Sequence, residues 1–335
     1  MSNMQALVFK GTGEMAAESR PCPEPRADEV LVRVAAAGIC GSELTSFTGH
    51  STRRPPGRIF GHELAGVVEA LGSAAPKELL GERVAVNPLH PCGRCEQCRS
   101  GRSNVCPERV LLGMQVDGGF AELVAVPYTG LTALGSLDEL AGAMAEPIAN
   151  AVHVAALLPA TLGRHVAVLG AGAIGLSVVA VLRVAGAARI TAVDPVRARR
   201  QAALASGAHA ALAPDDGGLE GMLFDHVVDA AGTSGSRGTA IERCDAGGCV
   251  VLLGLHSAVS ELAVNAAVAK ELRLQCSYAY TQADFDAALE LLRAGAVPYG
   301  HWITERPLDD GQAAFQTLVE RPDEATKIVL RPPGA

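Results

Sequence analysis

Hydrophobic and polar positions fall into two patterns along the chain. Up to about residue 126 the apolar runs are short, β-rich and broken by Gly and Pro. Runs at 5–10, 30–35 and 123–126 have strand length, and the pattern predicts a compact β-rich domain. From 166 onward, strand-length runs alternate with helical ones. Strands are expected at 166–169, 189–193, 208–212, 225–229, 249–254 and 272–278. A helix is expected after 172, and others at 197–205 and 284–293. That alternation predicts a parallel sheet covered on both faces, with loops after the strands lining a ligand crevice. A helical stretch at 137–158 joins the two patterns. A helix at 309–319 and a strand at 327–330 close the chain.

Residues 164–194 carry the sharpest local order. The strand 166–169 ends at Gly170-Ala171-Gly172-Ala173-Ile174-Gly175, a G-x-G-x-x-G. A helical run follows, then the strand 189–193, which ends at Asp194. Strand, glycine turn, helix, strand and acid form one βαβ unit that fits a dinucleotide. Gly170 permits the turn, Gly172 lets the backbone approach a pyrophosphate at the helix N-terminus, and Gly175 allows close packing of helix on strand. Asp194 is aimed at the ribose hydroxyls. The run 166–182 approaches membrane-span length. The glycine fingerprint inside it, and Arg164 and Arg183 at its flanks, favour a buried strand and helix.

A chain of 335 residues has room for two domains. Charged residues are 19% and apolar residues 49%, which suits a globular protein in water. A net charge of −8 gives no electrostatic case for nucleic acid or an anionic membrane. The first ten residues lack a signal-peptide pattern, so a cytoplasmic location is expected. Four of the nine cysteines are crowded together, which in a reducing compartment reads as metal binding.

Those four, Cys92, Cys95, Cys98 and Cys106, have the spacing C-x2-C-x2-C-x7-C. Four thiolates close a tetrahedral zinc site with no vacancy, which is a structural site. Two further motifs are Gly38-Ile39-Cys40-Gly41-Ser42-Glu43 and Gly61-His62-Glu63. Thiolate, imidazole and carboxylate are zinc ligands, and a catalytic zinc needs three plus an open position. Spacing alone does not prove a shared metal. Glu146, before Pro147, is a charge among apolar neighbours, which calls for a metal or another partner, or else for exposure at a kink. Cys22, Cys244, Cys249 and Cys276 lack metal-like spacing and read as packing residues. His256 follows a strand expected to border the crevice, and reads equally as a crevice residue or an ordinary loop histidine.

G-I-C-G-S-E, G-H-E, the four-cysteine motif, Gly118-Gly119-Phe120-Ala121-Glu122, Glu146-Pro147 and G-A-G-A-I-G occur in that order. Over essentially the whole chain this set resembles the zinc-dependent medium-chain alcohol dehydrogenases, and most closely their polyol dehydrogenase branch. The resemblance implies an α/β protein: a GroES-like β-rich catalytic domain (1–152 and 295–335) and a Rossmann doubly wound parallel-sheet cofactor domain (153–294). It implies Cys40 and His62 as catalytic zinc ligands, with Glu63 as third ligand and Glu146 coordinating directly or through the zinc-bound water. Which of the two carboxylates binds directly stays open. Glu43 would orient His62, and Ser42 would start a proton relay. Thr45 stands where many members have the relay histidine. Gly170, Gly172, Ile174, Gly175, Asp194, Arg199 and Lys327 would meet NAD, with Arg199 near the adenosine ribose and Lys327 at the pyrophosphate. Two zinc ions per subunit are implied, with assembly as a homodimer or homotetramer.

The resulting expectation is an NAD-dependent secondary-alcohol or polyol dehydrogenase. A non-catalytic protein that contains NAD and zinc is the competing class, and a metal-free quinone reductase of the same fold is a third. The substrate alcohol is not legible. Arg53, Arg54 and Arg58 form a basic loop before G-H-E that reads as solvated or, alternatively, as a phosphate or carboxylate reader.

Overall fold

A computed structural model describes residues 3–215 and 217–334. Contacts divide the chain into two units. The first contains Met1–Glu146, Thr281–Arg293 and Ile303–Ala335; the second contains Pro147–Tyr280 and Ala294–Trp302. The division differs from the expected boundary at 295. The helix Gln282–Arg293, expected at the end of the cofactor domain, belongs to the first unit. Its polar side chains explain why. Asn87 donates to the Gln282 amide oxygen at 2.7 Å, and Arg293 donates to the carbonyl of Ala133 at 2.6 Å.

Among the described residues, the first unit is built on a seven-stranded sheet. Its centre is the strand Glu29–Gly38, which pairs antiparallel with Glu63–Leu71, Leu123–Pro127 and the last strand, Lys327–Arg331. Pairing of the last strand with Glu29–Gly38 brings Val329 opposite Gly38. The N-terminal hairpin of Asn3–Gly11 and Glu14–Pro21 lies in a separate two-stranded sheet. The largely aliphatic core of this unit contains an aromatic cluster. Phe315, on the helix Gly311–Glu320, meets Phe47, Phe60 and Phe120 with ring centroids 5.2–6.4 Å apart. All four rings are buried. Truncating such a residue to alanine costs about 3–5 kcal/mol.

The second unit is a six-stranded parallel sheet. Its strands run in the order Ala210–Leu212, Arg189–Val193, His165–Leu169, Phe224–Asp229, Cys244–Leu252 and Arg273–Cys276. Numbered along the chain, this is 3-2-1-4-5-6, the order of a dinucleotide-binding doubly wound sheet. The order reverses between His165–Leu169 and Phe224–Asp229, where Leu169 pairs with Asp229. Both strands are almost wholly buried, which accounts for the apolar runs 166–169 and 227–228 at their centres. The uncharged run 166–182 resolves into a strand and the 12-residue helix Ala173–Val184. The strands expected at 249–254 and 272–278 are Cys244–Leu252 and Arg273–Cys276.

Candidate active site and cofactor turn

Cys40 is the N-cap of the short helix Gly41–Phe47, and His62 and Glu63 stand at the start of the strand Glu63–Leu71. One ligand atom from each of Cys40, His62 and Glu63 lies within 4.8 Å of the other two. His62 and Glu63 are buried. Gly61 makes the approach possible. Its φ is +98°, and a Cβ there would sit 2.7 Å from the backbone nitrogen of Phe120.

Glu43 organises the histidine. Its carboxylate accepts from the backbone N–H of Cys40 (3.0 Å) and of Gly61 (2.8 Å), and lies 2.9 Å from His62 Nδ1. The contact leaves Nε2 as the ring's metal-binding nitrogen. Burial opposes ionisation of Glu43, yet the charge and hydrogen bond of His62, with Arg54 behind them, hold its carboxyl below the ordinary range. Burial would likewise depress His62, but the charges of Glu43 and Cys40 outweigh it and raise the ring well above its usual value.

Lys327 was expected at a cofactor pyrophosphate. The side chain is instead 1% exposed, its ammonium forms an ion pair with Glu63 Oε2, and it donates to the carbonyl of Ile39 at 2.9 Å. Burial would lower its pKa; the Glu63 carboxylate, with Cys40 and Glu146 nearby, raises it. Gly38 creates the space. A Cβ there would sit 2.3 Å from Glu63 Oε2 and 2.9 Å from Lys327 Cε. Sequence reading had no signal for this role of Gly38, because the strand that supplies Lys327 starts 289 residues later.

Glu146 is also buried, in the middle of the helix Glu139–Leu157, so exposure at a kink does not apply. It lies outside the three-donor group. Thr45 Oγ1 donates to the carbonyl of Ser42 at 2.9 Å, so its proton is committed to the helix. The arginines of the 53–58 loop do not share one surface: Arg53 is exposed, Arg58 pairs with Asp117 at 3.0 Å, and Arg54 is buried. His256 is exposed. Cys244 and Cys249 are buried in packing, whereas Cys276 on the sheet edge is exposed, contrary to its reading as a packing residue.

Cys92, Cys95, Cys98 and Cys106 form a second donor group, with all nine cysteines as free thiols. Four of their sulfur–sulfur distances are 3.4, 3.6, 3.8 and 4.0 Å. Ligands on a tetrahedral zinc at about 2.3 Å stand about 3.8 Å apart, so the sulfurs already match that edge. Hydrogen bonds from the Arg94 and Cys95 amides lower the Cys92 thiol to about 7, while burial pushes Cys98 up to about 12.

In the second unit, Gly170 (φ +93°) starts the turn after His165–Leu169, and Gly172 caps Ala173–Val184 with open space where a Cβ would stand. A Cβ at Gly175 would meet the Gly170 carbonyl at 1.9 Å. Ile174 lies in the first turn of that helix, half-buried. Asp194 is buried. Its Oδ2 accepts from the Ala171 amide and its Oδ1 from the Val196 amide, both at 2.8 Å. The carboxylate therefore braces the glycine turn itself. Arg200 donates to the carbonyls of Asp194 and Pro195, Arg197 is exposed, and the buried Nε of Arg199 has no partner among the described residues. An open glycine cradle, an acid at the strand end and an orphaned guanidinium N–H fit a dinucleotide.

Comparison with known proteins agrees. Residues 26–136 match the family model described as an alcohol dehydrogenase GroES-like domain, and 173–294 match that of a zinc-binding dehydrogenase. Sorbitol dehydrogenase of Bacillus subtilis (strain 168) is 31% identical, over 98% of this chain and 98% of its own. An Escherichia coli CFT073 alcohol dehydrogenase solved with NADH superposes at a TM-score of 0.92. It is 29% identical, over 99% of this chain and 100% of that one. A Sinorhizobium meliloti 1021 protein bound to NADP superposes at 0.91 and is 31% identical, over 99% and 100%. The donor groups, the glycine turn and these likenesses along the full chain agree: the protein belongs to the zinc-dependent medium-chain alcohol dehydrogenase family and is an oxidoreductase.

Proposed function

We propose that the protein is an NAD-dependent zinc dehydrogenase of secondary alcohols or polyols, in the class of sugar alcohols, sugar phosphates, diols, amino alcohols or cyclitols. The observation that carries this reading is the three-donor group of Cys40, His62 and Glu63. A thiolate, an imidazole and a carboxylate within 4.8 Å suit zinc and leave a fourth tetrahedral position for a substrate hydroxyl. When bound, zinc there supplies a Lewis acid that makes an alcohol easier to deprotonate, and the nicotinamide supplies the hydride acceptor. Cys40, His62 and Glu63 hold the ion, with Glu146 supporting it. Glu43 fixes the His62 ring. Ser42 takes the alcohol's proton and passes its own to water. Cys92, Cys95, Cys98 and Cys106 hold a second, structural zinc. The location in this reading is cytoplasmic, and the protein acts as a homodimer or homotetramer.

Asp194 selects NAD over NADP in this reading. A 2′-phosphate would bring negative charge against a buried carboxylate. Asp194→Ala should narrow or invert a kcat/KM preference for NAD of about a hundredfold, about 2.7 kcal/mol. A wild-type preference for NADP would reject that role.

Zinc per chain by mass spectrometry, with NADH absorbance over a panel of these alcohols, tests the whole reading. Two zinc ions and turnover of at least one polyol are expected. One zinc and no turnover would instead indicate the non-catalytic class.

A further inference from the structure

Arg54 is 2% exposed. Its Nε donates to the carbonyl of Gly113 (2.9 Å), its Nη1 to the carbonyl of Ser42 (2.8 Å) and weakly to Ser46 Oγ (3.4 Å), and its Nη2 to Ser42 Oγ (3.1 Å). The guanidinium also lies 5.4 Å from the centroid of the Phe60 ring. Burying a cation is costly, and the buried Glu43 carboxylate, which Arg54 helps to hold ionised, offsets part of that cost. Beyond that charge contact, one N–H group of Arg54 meets Ser42 Oγ.

We propose that Arg54 is a positioning residue for the proton step, acting through Ser42. The inference rests on the dehydrogenase reading above and on Ser42 as its proton carrier. A guanidinium has donors only, and a serine hydroxyl has one proton and two lone pairs. With Arg54 on one lone pair, Ser42 cannot turn its proton toward Arg54. One lone pair and the proton remain for other partners. Transfer needs both: the alcohol O–H bond breaks, a new O–H bond forms at the free lone pair of Ser42, and the original Ser42 proton leaves to water. The second bond of Arg54, to the Ser42 carbonyl, fixes the backbone of the same residue. The fork thus fixes the residue at two points, where a single ammonium would fix one. Thr45 Oγ1, bonded to the Ser42 carbonyl as well, adds to the same restraint.

The test is a double-mutant cycle on the zinc-loaded, full-length protein, using Arg54→Met, Arg54→Lys and Ser42→Ala. Arg54→Met should lower kcat by about 10- to 100-fold, the range for residues that orient a reacting group, with zinc content and KM for NAD unchanged. Arg54→Lys should recover part of that loss. In the Ser42→Ala background the Arg54→Met effect should shrink to less than about twofold, because the group it positions is gone. Crystal structures of the Arg54 variants should show Ser42 Oγ in a changed rotamer or in several. An equal fold-loss in both backgrounds would make Arg54 a brace and overturn the proposal. So would a lowered kcat in Arg54→Lys with Ser42 Oγ still in its single wild-type rotamer, a readout that survives if Arg54→Met does not fold. Wild-type kcat in Ser42→Ala would remove Ser42 from the proton step and the proposal with it, while a zinc-dependent dehydrogenase activity would still stand.

Discussion

The two donor groups are built in opposite ways. Cys92, Cys95, Cys98 and Cys106 lie within one short loop, around the helix Glu96–Arg99, and three of the four are only half-buried. Cys40, His62 and Glu63 come from a helix cap and a strand start, and the carboxylate is held by a lysine from the last strand. The loop group has four like ligands and no vacancy. The second has three unlike ligands, a buried setting and a carboxylate with a competing cation. The first arrangement favours permanence. The second gives up a ligand position, and its neighbours hold the remaining donors in place.

Cys40→Ser is the sharpest way to break the comparison. It should lower kcat by at least about a thousandfold, about 4 kcal/mol, and reduce zinc by about one ion per chain. Melting should barely change. Wild-type turnover in a variant shown to lack that zinc would refute the metal mechanism.

Cys95→Ser should act the other way round. It removes one thiolate from a closed site, so the expected result is loss of the other zinc, lower yield and a melting temperature down by roughly ten degrees or more, because structural zinc binding contributes directly to folding. Residual folded protein should keep a near-normal kcat. Unchanged melting with full zinc loss would mean that the loop needs no metal.

Gly38→Ala probes the support rather than the donors. The added methyl would stand against Glu63 Oε2 and Lys327 Cε, and crowding of this kind costs about 1–3 kcal/mol. A fall of a few degrees in melting temperature, with a lower kcat and unchanged loop zinc, is expected. A matching variant of the loop, Gly93→Ala, introduces no contact within 4 Å but is strained by its φ of +70°. It should leave kcat alone.

A fourth measurement needs no metal. Burial raises the pKa of Asp229, at the end of the strand Phe224–Asp229, despite the N–H of Gly232. The folded state therefore binds more protons than the unfolded one as pH rises from the ordinary aspartate value to the raised one. Stability from this group is full below that window and declines through it. Asp229→Asn should flatten that part of the melting-temperature profile, and an identical profile would exclude Asp229 as its source.

Legibility in the sequence followed the range of the contacts. The glycine turn, Asp194 and the four cysteines are local, and their spacing alone pointed to a nucleotide turn and a closed metal site. Cys40, His62 and Glu63 drew notice as motifs, but their convergence depends on strand pairing between 29–38 and 63–71. Arg54 read as part of a basic surface loop, because nothing in the sequence reports that its guanidinium turns inward to Ser42 and Gly113. The pairing of Lys327 with Glu63 was hidden for the same reason: it lies across the strand pair formed with Gly38. The helix Gln282–Arg293 kept its expected type but joined the other unit, a matter of side-chain partners and not of periodicity.

The last strand carries a consequence in time. Lys327 is synthesised 287 residues after Cys40 (327 − 40), and at about 5–20 residues per second that is an interval of roughly 15–60 s. Throughout it Glu63 lacks its cation, and the sheet edge at Gly38 lacks its partner strand. The six parallel strands, from His165 to Cys276, are all made within that interval and need nothing from Lys327–Arg331. The nascent chain should thus complete its nucleotide-binding half first. The half that holds Cys40 waits, with thiol and imidazole exposed to whatever metals the cell offers, until its final strand arrives.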